Sequence, residues 1–351
     1  MSYIAKPDAR HPKMPKNALG LTPRDYEGSM STLCAGCGHD SVTAALIQAF
    51  FELDVEPYRV AKLSGIGCSS KTPTYFMSEA HGFNSVHGRM PAIAAGANAA
   101  NREMMFVGIS GDGDSLSIGL GQFCHAIRRN VNMLYVLENN GVYGLTKGQF
   151  SASADIGSTS KGGVANRQGP IDPVNVALSL GATFVARSFS GDKEQLIPIL
   201  KAGLMHNGFS FVDVISPCVT FNDHKGSTKS YVHTRDNMHE VIETDFVPLR
   251  AEIKTDYSEG TAKVVTMHDG STVKLRKVDP NYDPGDRRAV LDYLGDVGSR
   301  GEIATGLLYL EEAGEDMHCF ENTIPGALVD VTYEDLCPGS ASLSELQKEW
   351  R

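Results

Sequence analysis

Short apolar runs bounded by glycine or polar clusters alternate with segments whose apolar residues recur at helical spacing through most of the chain. Arg59 to Gly65, Met104 to Ile109, Asn132 to Leu137, Thr183 to Arg187 and Ser210 to Ile215 read as buried strands, with a short extended piece at Asn84 to His87. Between them the pattern predicts helices over Asp40 to Leu53, Pro91 to Asn101, Val174 to Leu180 and Lys193 to His206. A further helix should open at Ser115 as N-cap, with Leu116, Ile118, Leu120, Phe123 and Ile127 on its apolar face. Strands alternating with helices point to an α/β fold, a mostly parallel sheet flanked by helices.

The pattern changes at both ends. Residues 1–30 are polar and carry Pro7, Pro12, Pro15 and Pro23, an extended arm expected to be ordered by packing on a partner. Residues 31–236 hold the strand–helix alternation, and residues 237–351 form a C-terminal extension of different character. There Lys263 to Lys277 reads as a hairpin turning at His268-Asp269-Gly270, followed by a helix over Asp283 to Gly295 and a strand over Leu307 to Leu310. Phe150 to Gly169 is rich in Ser, Gly and Ala without periodicity, the mark of a mobile surface loop. No internal repeat is present.

Composition narrows the function class. With 351 residues, 41% of them hydrophobic, the chain can bury a large core. A net charge of −10 argues against a general nucleic-acid binder. No apolar run has the length of a membrane span, and the N-terminus lacks a signal peptide's apolar centre, so a cytoplasmic location is expected. Seven cysteines in such a chain read as thiols or metal ligands before disulfides.

Candidate chemistry gathers at the strand ends. Gly111-Asp112-Gly113-Asp114 ends one buried strand and opens a helix, and Asn139-Asn140-Gly141 ends the next. Ligands of a parallel sheet lie beyond the strands' carboxyl ends, and a helix N-terminus offers free N–H groups to a diphosphate. Asp112 and Asn140, with the Val142 carbonyl, form an oxygen set suited to Mg²⁺. Cys34, Cys37, Cys68 and Cys218 lie in loops beside Gly or Pro, whereas Cys124 reads as core and Cys319 and Cys337 carry no motif. Four thiolates from separate loops suit either zinc or a 4Fe–4S cluster, and spacing alone leaves both open.

GDGD, a βαβ unit, NN and then YGLTKGQ resemble the thiamine-diphosphate motif. Joined to CAGCGH, GIGCSSK, HGRMPAIAAG and SPCVTFN, from about Cys34 to Asn222, the pattern resembles the β subunit of 2-oxoacid:ferredoxin oxidoreductases. The resemblance implies a 4Fe–4S cluster on Cys34, Cys37, Cys68 and Cys218, with Leu33-Cys34-Ala35 where the family often has Trp-Cys-Pro. It implies cofactor contacts from Ile66, Gly67, Cys68 and Ser69, from His87, Gly88 and Arg89, from Gly111 to Asp114, and from Gly144 and Leu145. Lys147 is the implied partner of the substrate carboxylate, with Lys71 a weaker candidate.

The implied reaction is thiamine-dependent oxidative decarboxylation of a 2-oxo acid with coenzyme A, its electrons passing to ferredoxin, or the reverse carboxylation. The motifs look most like the 2-oxoglutarate enzymes, with pyruvate or branched-chain 2-oxo acids as alternatives. A thiamine enzyme without redox chemistry, and an electron-transfer subunit without a working thiamine site, are the rival readings. Thiamine activation needs a carboxylic acid from a pyrimidine-binding domain, and the remaining residues lack the alternation such a domain requires. An α subunit is therefore expected to supply it, in an (αβ)2 assembly.

Overall fold

The computed structural model describes residues 11–159, 163–247, 262–267, 271–279, 281–312, 314–337 and 339–350. Along the chain run α1 (Gly38–Glu52), β1 (Val60–Ser64), β2 (His81–Asn84), α2 (Met90–Ala100), β3 (Met105–Gly111), α3 (Leu120–Arg128) and β4 (Met133–Asn139). Then come the two-residue strands β5 (Val142–Tyr143) and β6 (Gln149–Phe150), α4 (Pro173–Ser179), β7 (Phe184–Phe189), α5 (Lys193–Met205) and β8 (Phe209–Ile215). α6 (Tyr231–Asn237), β9 (Met238–Val247), β10 (Ala262–Thr266), β11 (Thr272–Lys277), α7 (Arg287–Ser299) and β12 (Ile303–Leu310) follow, with short helices at the end.

Ten strands form one sheet in the order β10-β11-β9-β12-β7-β8-β4-β3-β1-β2. From β2 to β7 every pairing is parallel, and β12 then runs antiparallel to β7. Strands β4 and β8 are buried end to end and β3 is buried between its two terminal residues, as apolar runs require when helices cover both faces. α1 packs on α5, while α2, α3, α4 and α7 follow one another in a second layer. Phe123, Tyr135, Phe209 and Phe211 meet edge-on or tilted at 5.1–6.1 Å between sheet and α3, a geometry that suits ring quadrupoles.

Several expectations are corrected. Beyond β3 the chain runs through a π-helical stretch, Gly113–Ile118, before α3, so Ser115 is not a helix cap. The wider turn seats buried polar groups: the Ser115 hydroxyl bonds Ser110 Oγ at 2.9 Å and Tyr135 OH at 2.6 Å. The described part of the N-terminal arm, from residue 11, packs on this chain itself, because Tyr26 is fully buried and donates to the Val55 carbonyl at 2.8 Å. Cys124 is partly exposed rather than core.

Past residue 236 the change of pattern does not end the sheet, because β9 to β12 extend it. The hairpin of β10 and β11 is present, and its expected turn at 268–270 lies outside the described residues. α7 starts at Arg287, later than expected, because the Asp286 carboxylate caps the N–H groups of Arg288 and Ala289.

Candidate functional site

Register brings the site together. Ser64 pairs with Ile109, Gly111 with Glu138, and Asn139 with Ile215, so β1, β3, β4 and β8 end on one side of the sheet. From these ends leave Gly65 to Cys68, Asp112, Asn140 and Ser216 to Cys218. One small cavity is lined by His39, Ile66 to Ser69, Gly111 to Asp114, Asn140 and Val142 to Gly144.

Asp112 is 1% exposed, and every hydrogen bond described on its carboxylate falls on Oδ2. The donors are Ser151 Oγ, Ser153 Oγ at 2.6 Å and the Gly141 N–H at 2.9 Å. Burial pushes the carboxyl above its usual range, while these bonds and the charge of Lys229 pull the other way. A cation on the remaining oxygen would favour the ionised form further. The loop from Phe150, expected to be mobile surface, is thus built into the site through buried Ser151 and Ser153. Asn140 is buried beside it, its Oδ1 accepting the Val142 N–H at 3.1 Å.

Gly113 is required by contact, since a Cβ there would lie 2.4 Å from the Tyr143 ring, whose hydroxyl donates to the Gly113 carbonyl at 2.9 Å. Asp114 lines the cavity with both oxygens engaged, one by the Gly88 N–H at 2.7 Å and the other by Ser110 Oγ at 2.9 Å. It therefore brackets the His87–Arg89 turn. His87 and Arg89 themselves are exposed outside this cavity. Leu145 and Lys147 also stand outside it, exposed at the tip of the β5–β6 hairpin, with Lys147 at a φ of 80°.

The four candidate cysteines come from three loops that lie beside one another. A Cβ on Gly144 would lie 3.3 Å from Cys68 Sγ and 3.7 Å from Cys218 Sγ, so both sulfurs flank that glycine. Thr220 Oγ1 donates to Cys34 Sγ at 3.4 Å, and the Gly38 N–H donates to the Pro217 carbonyl at 3.2 Å. Burial, then other charges including Cys218, pushes Cys37 up to about 12; burial and then Cys218 and Cys34 also raise Cys68. Among the described residues no three His, Cys, Asp or Glu side chains close around one point as a single ion requires.

Two buried groups beside the thiols escaped the sequence reading. Glu138, the one charged residue of β4, accepts Thr72 Oγ1 at 3.0 and 3.1 Å and lies 3.6 Å from His39. Burial raises Glu138 well above the carboxylate range and lowers His39 to about 4, so His39 is neutral near pH 7 and the uncharged form of Glu138 is favoured. His39 Nδ1 shares a 2.6 Å hydrogen bond with Ser216 Oγ. A charged residue closing a buried strand was the available signal.

Residues 65–214 match the family model for the C-terminal TPP-binding domain of thiamine pyrophosphate enzymes. The 2-oxoglutarate synthase subunit KorB of Methanothermobacter marburgensis is 32% identical over 235 residues, 66% of this chain and 80% of that one. The chain belongs to the β subunits of the 2-oxoacid:ferredoxin oxidoreductases. The Saccharolobus solfataricus 2-oxoacid:ferredoxin oxidoreductase β subunit is 41% identical over 58% of this chain and 66% of its own length. For KorB of Mycobacterium tuberculosis the identity is 42%, over 54% of this chain and 51% of the relative. This β subunit thus spans between half and two thirds of those two relatives. A solved 2-oxoglutarate:ferredoxin oxidoreductase from Magnetococcus marinus, with 2-oxoglutarate, coenzyme A and succinyl-CoA bound, superposes with a TM-score of 0.69 at 30% identity. That likeness covers 89% of this chain and 91% of the other. The similarity therefore extends beyond the family model into the C-terminal strands.

Proposed function

We propose that the chain is the diphosphate-binding subunit of an enzyme that converts 2-oxoglutarate and coenzyme A to succinyl-CoA and CO₂, with electrons leaving to ferredoxin, or runs the reverse carboxylation. The observation that carries this reading is a single cavity lined by Cys68 together with Asp112, Asn140 and Val142. Group-transfer and electron-transfer chemistry would there be neighbours. Relatives named for 2-oxoglutarate, and a solved relative holding 2-oxoglutarate and coenzyme A, support the choice of substrate.

The residues fit the implied groups. Asp112, the Asn140 side chain and the Val142 carbonyl would hold Mg²⁺, an ion that prefers oxygen ligands. N–H groups of the Gly111 to Asp114 turn would meet the diphosphate. Cys34, Cys37, Cys68 and Cys218 would hold a 4Fe–4S cluster, a reading supported by Cys68 and Cys218 flanking Gly144 and by Thr220, two residues past Cys218, bonding Cys34. When bound, thiamine supplies the ring that takes up the electron pair left by CO₂, and the cluster supplies one-electron transfer.

The chain's own residues prepare that site. Ser151, Ser153 and Gly141 hold Oδ2 of Asp112, which leaves Oδ1 as the ligand atom. Tyr143 packs on Gly113 and donates to its carbonyl, which fixes the turn. Ile66 to Ser69 and Gly144 line the same cavity and would meet thiamine through backbone groups. Lys147, exposed beside the opening, would meet the substrate carboxylate, with Leu145 next to it. His87 and Arg89 are free to meet the cofactor's outer end or an α subunit. The α subunit would bring the pyrimidine-side carboxylic acid, and two αβ pairs would form the enzyme.

The test is anaerobic purification of the co-expressed αβ complex. Iron, acid-labile sulfide and thiamine should be present together, and kcat/KM should be higher for 2-oxoglutarate than for pyruvate or branched-chain 2-oxo acids. A higher value for pyruvate would overturn the substrate. Stoichiometric zinc without iron would overturn the cluster.

A further inference from the structure

Three consecutive residues at the end of β4 face both proposed sites. Glu138 accepts from Thr72, which lies on the 3₁₀ turn that Cys68 opens, and it lies near His39, two residues beyond Cys37. The Asn139 carbonyl accepts the Ser216 N–H at 2.8 Å, two residues before Cys218. The Asn140 carbonyl accepts Asn222 Nδ2 at 2.8 Å, and the Asn222 N–H donates to the Cys218 carbonyl at 2.9 Å. All three cysteine-bearing segments, of which one carries both Cys34 and Cys37, are therefore tied to Glu138, Asn139 and Asn140.

One peptide plane carries the link onward. Its carbonyl, from Asn140, is held by Asn222, and its N–H, from Gly141, donates to Asp112 Oδ2 at 2.9 Å. Gly141 has a φ of +75°, and a Cβ there would lie 2.9 Å from Asn222 Nδ2, so Asn222 sits directly on that plane. Asn222 is 3% exposed, and Ser227 Oγ fixes its carbonyl at 2.9 Å. A shift of the Cys218 loop must turn this peptide or break a buried bond, and turning it displaces the bond to Asp112.

We propose that Asn222 is a positioning residue that couples the four-thiol site to the Asp112–Asn140 metal site, so that filling either raises the affinity of the other. The inference rests on the two metal assignments above, and linkage makes the coupling reciprocal. It requires nothing of the substrate, so it holds for any 2-oxo acid.

The experiment uses the co-expressed αβ complex and measures bound thiamine diphosphate by equilibrium dialysis at saturating Mg²⁺, before and after chelation of iron. Wild type should bind about tenfold more weakly once iron is removed, the worth of roughly one buried hydrogen bond. Iron-loaded Asn222→Asp, which keeps the shape but cannot donate, should bind as weakly as stripped wild type and lose little more on stripping. In the reverse direction, thiamine diphosphate should alter the EPR spectrum of the reduced cluster in wild type and not in the variant. Asn222→Ser, which is too short to reach, serves as the second variant and should behave as Asn222→Asp. Equal affinity of loaded and stripped wild type, or undiminished coupling in both variants, would overturn the proposal. A wild-type complex that never contains iron would instead remove the cluster assignment on which it stands.

Discussion

Asp112 shows how a single side chain is divided between two tasks. Its Oδ2 accepts from two hydroxyls and an N–H, and in the proposed reading the other oxygen would serve a ligand. Asp112→Ala should abolish Mg²⁺-dependent retention of thiamine diphosphate while leaving the circular dichroism spectrum unchanged, because the residue lies beyond the last ladder position of β3. Retention at wild-type level in gel-filtered protein would count against the metal assignment. Lys62 shows a different economy of a buried charge. Its ammonium donates to the carbonyls of Pro73, Phe76 and Met77 at 2.6–2.8 Å, pinning the segment that follows Cys68. Burial lowers its pKa from 10.5 to about 8. Between those values the unfolded chain holds more protons than the folded one, so this group makes stability rise with pH. Urea midpoints from pH 8 to 10 should therefore climb more steeply, or fall less, in wild type than in Lys62→Met.

At the scale of elements, Tyr143 of the β5–β6 hairpin packs its ring on Gly113 of the Gly111–Asp114 turn and bonds that residue's carbonyl. Gly113→Ala would place a methyl group inside the Tyr143 ring and should weaken thiamine diphosphate binding at least about tenfold, a cost in the range of overpacking. Tyr143→Ala alone should weaken it less, and the double variant should recover part of the Gly113→Ala loss. Additive losses in a double-mutant cycle would mean that the two do not act through this contact. The π-helical stretch belongs to the same scale. Apolar periodicity from Leu116 onward promised a regular helix, and the buried hydrogen bonds of Asp114 and Ser115 with Ser110, Gly88 and Tyr135 decided otherwise.

For the whole molecule, the site-bearing loops leave four adjacent parallel strands, while the C-terminal strands extend the sheet on the side away from β2. The last segment differs from both. From Leu328 to Trp350 no described side chain is buried, Val329 and Trp350 being 88% and 86% exposed. Truncation after Ala327 should shift Tm by no more than roughly 2 °C, because little apolar area is lost. A much larger drop would assign the segment to the fold. The pyrimidine-side acid must come from elsewhere in our reading, so the chain purified alone should bind thiamine diphosphate weakly and turn over no 2-oxo acid. Co-expression with an α subunit should restore both, and turnover by the single chain would refute the partnership.

Local pattern was enough to determine the fold class, because a buried parallel strand and an amphipathic helix each write their burial into a short window. It also nominated the residues whose chemistry is suggested by their type and place in a motif: the GDG turn, Asn140 and the four cysteines. What it could not supply were contacts between segments far apart in the chain. Ser151 and Ser153 on Asp112, Thr72 on Glu138, His39 on Ser216 and Asn222 on Asn140 each join positions whose separation ranges from 39 to 177 residues. A serine or an asparagine in a glycine-rich loop looks the same whether it meets water or a buried carboxylate. Only the strand order decides which, because register brings the loop ends together, and burial then forces each polar group to find its partner.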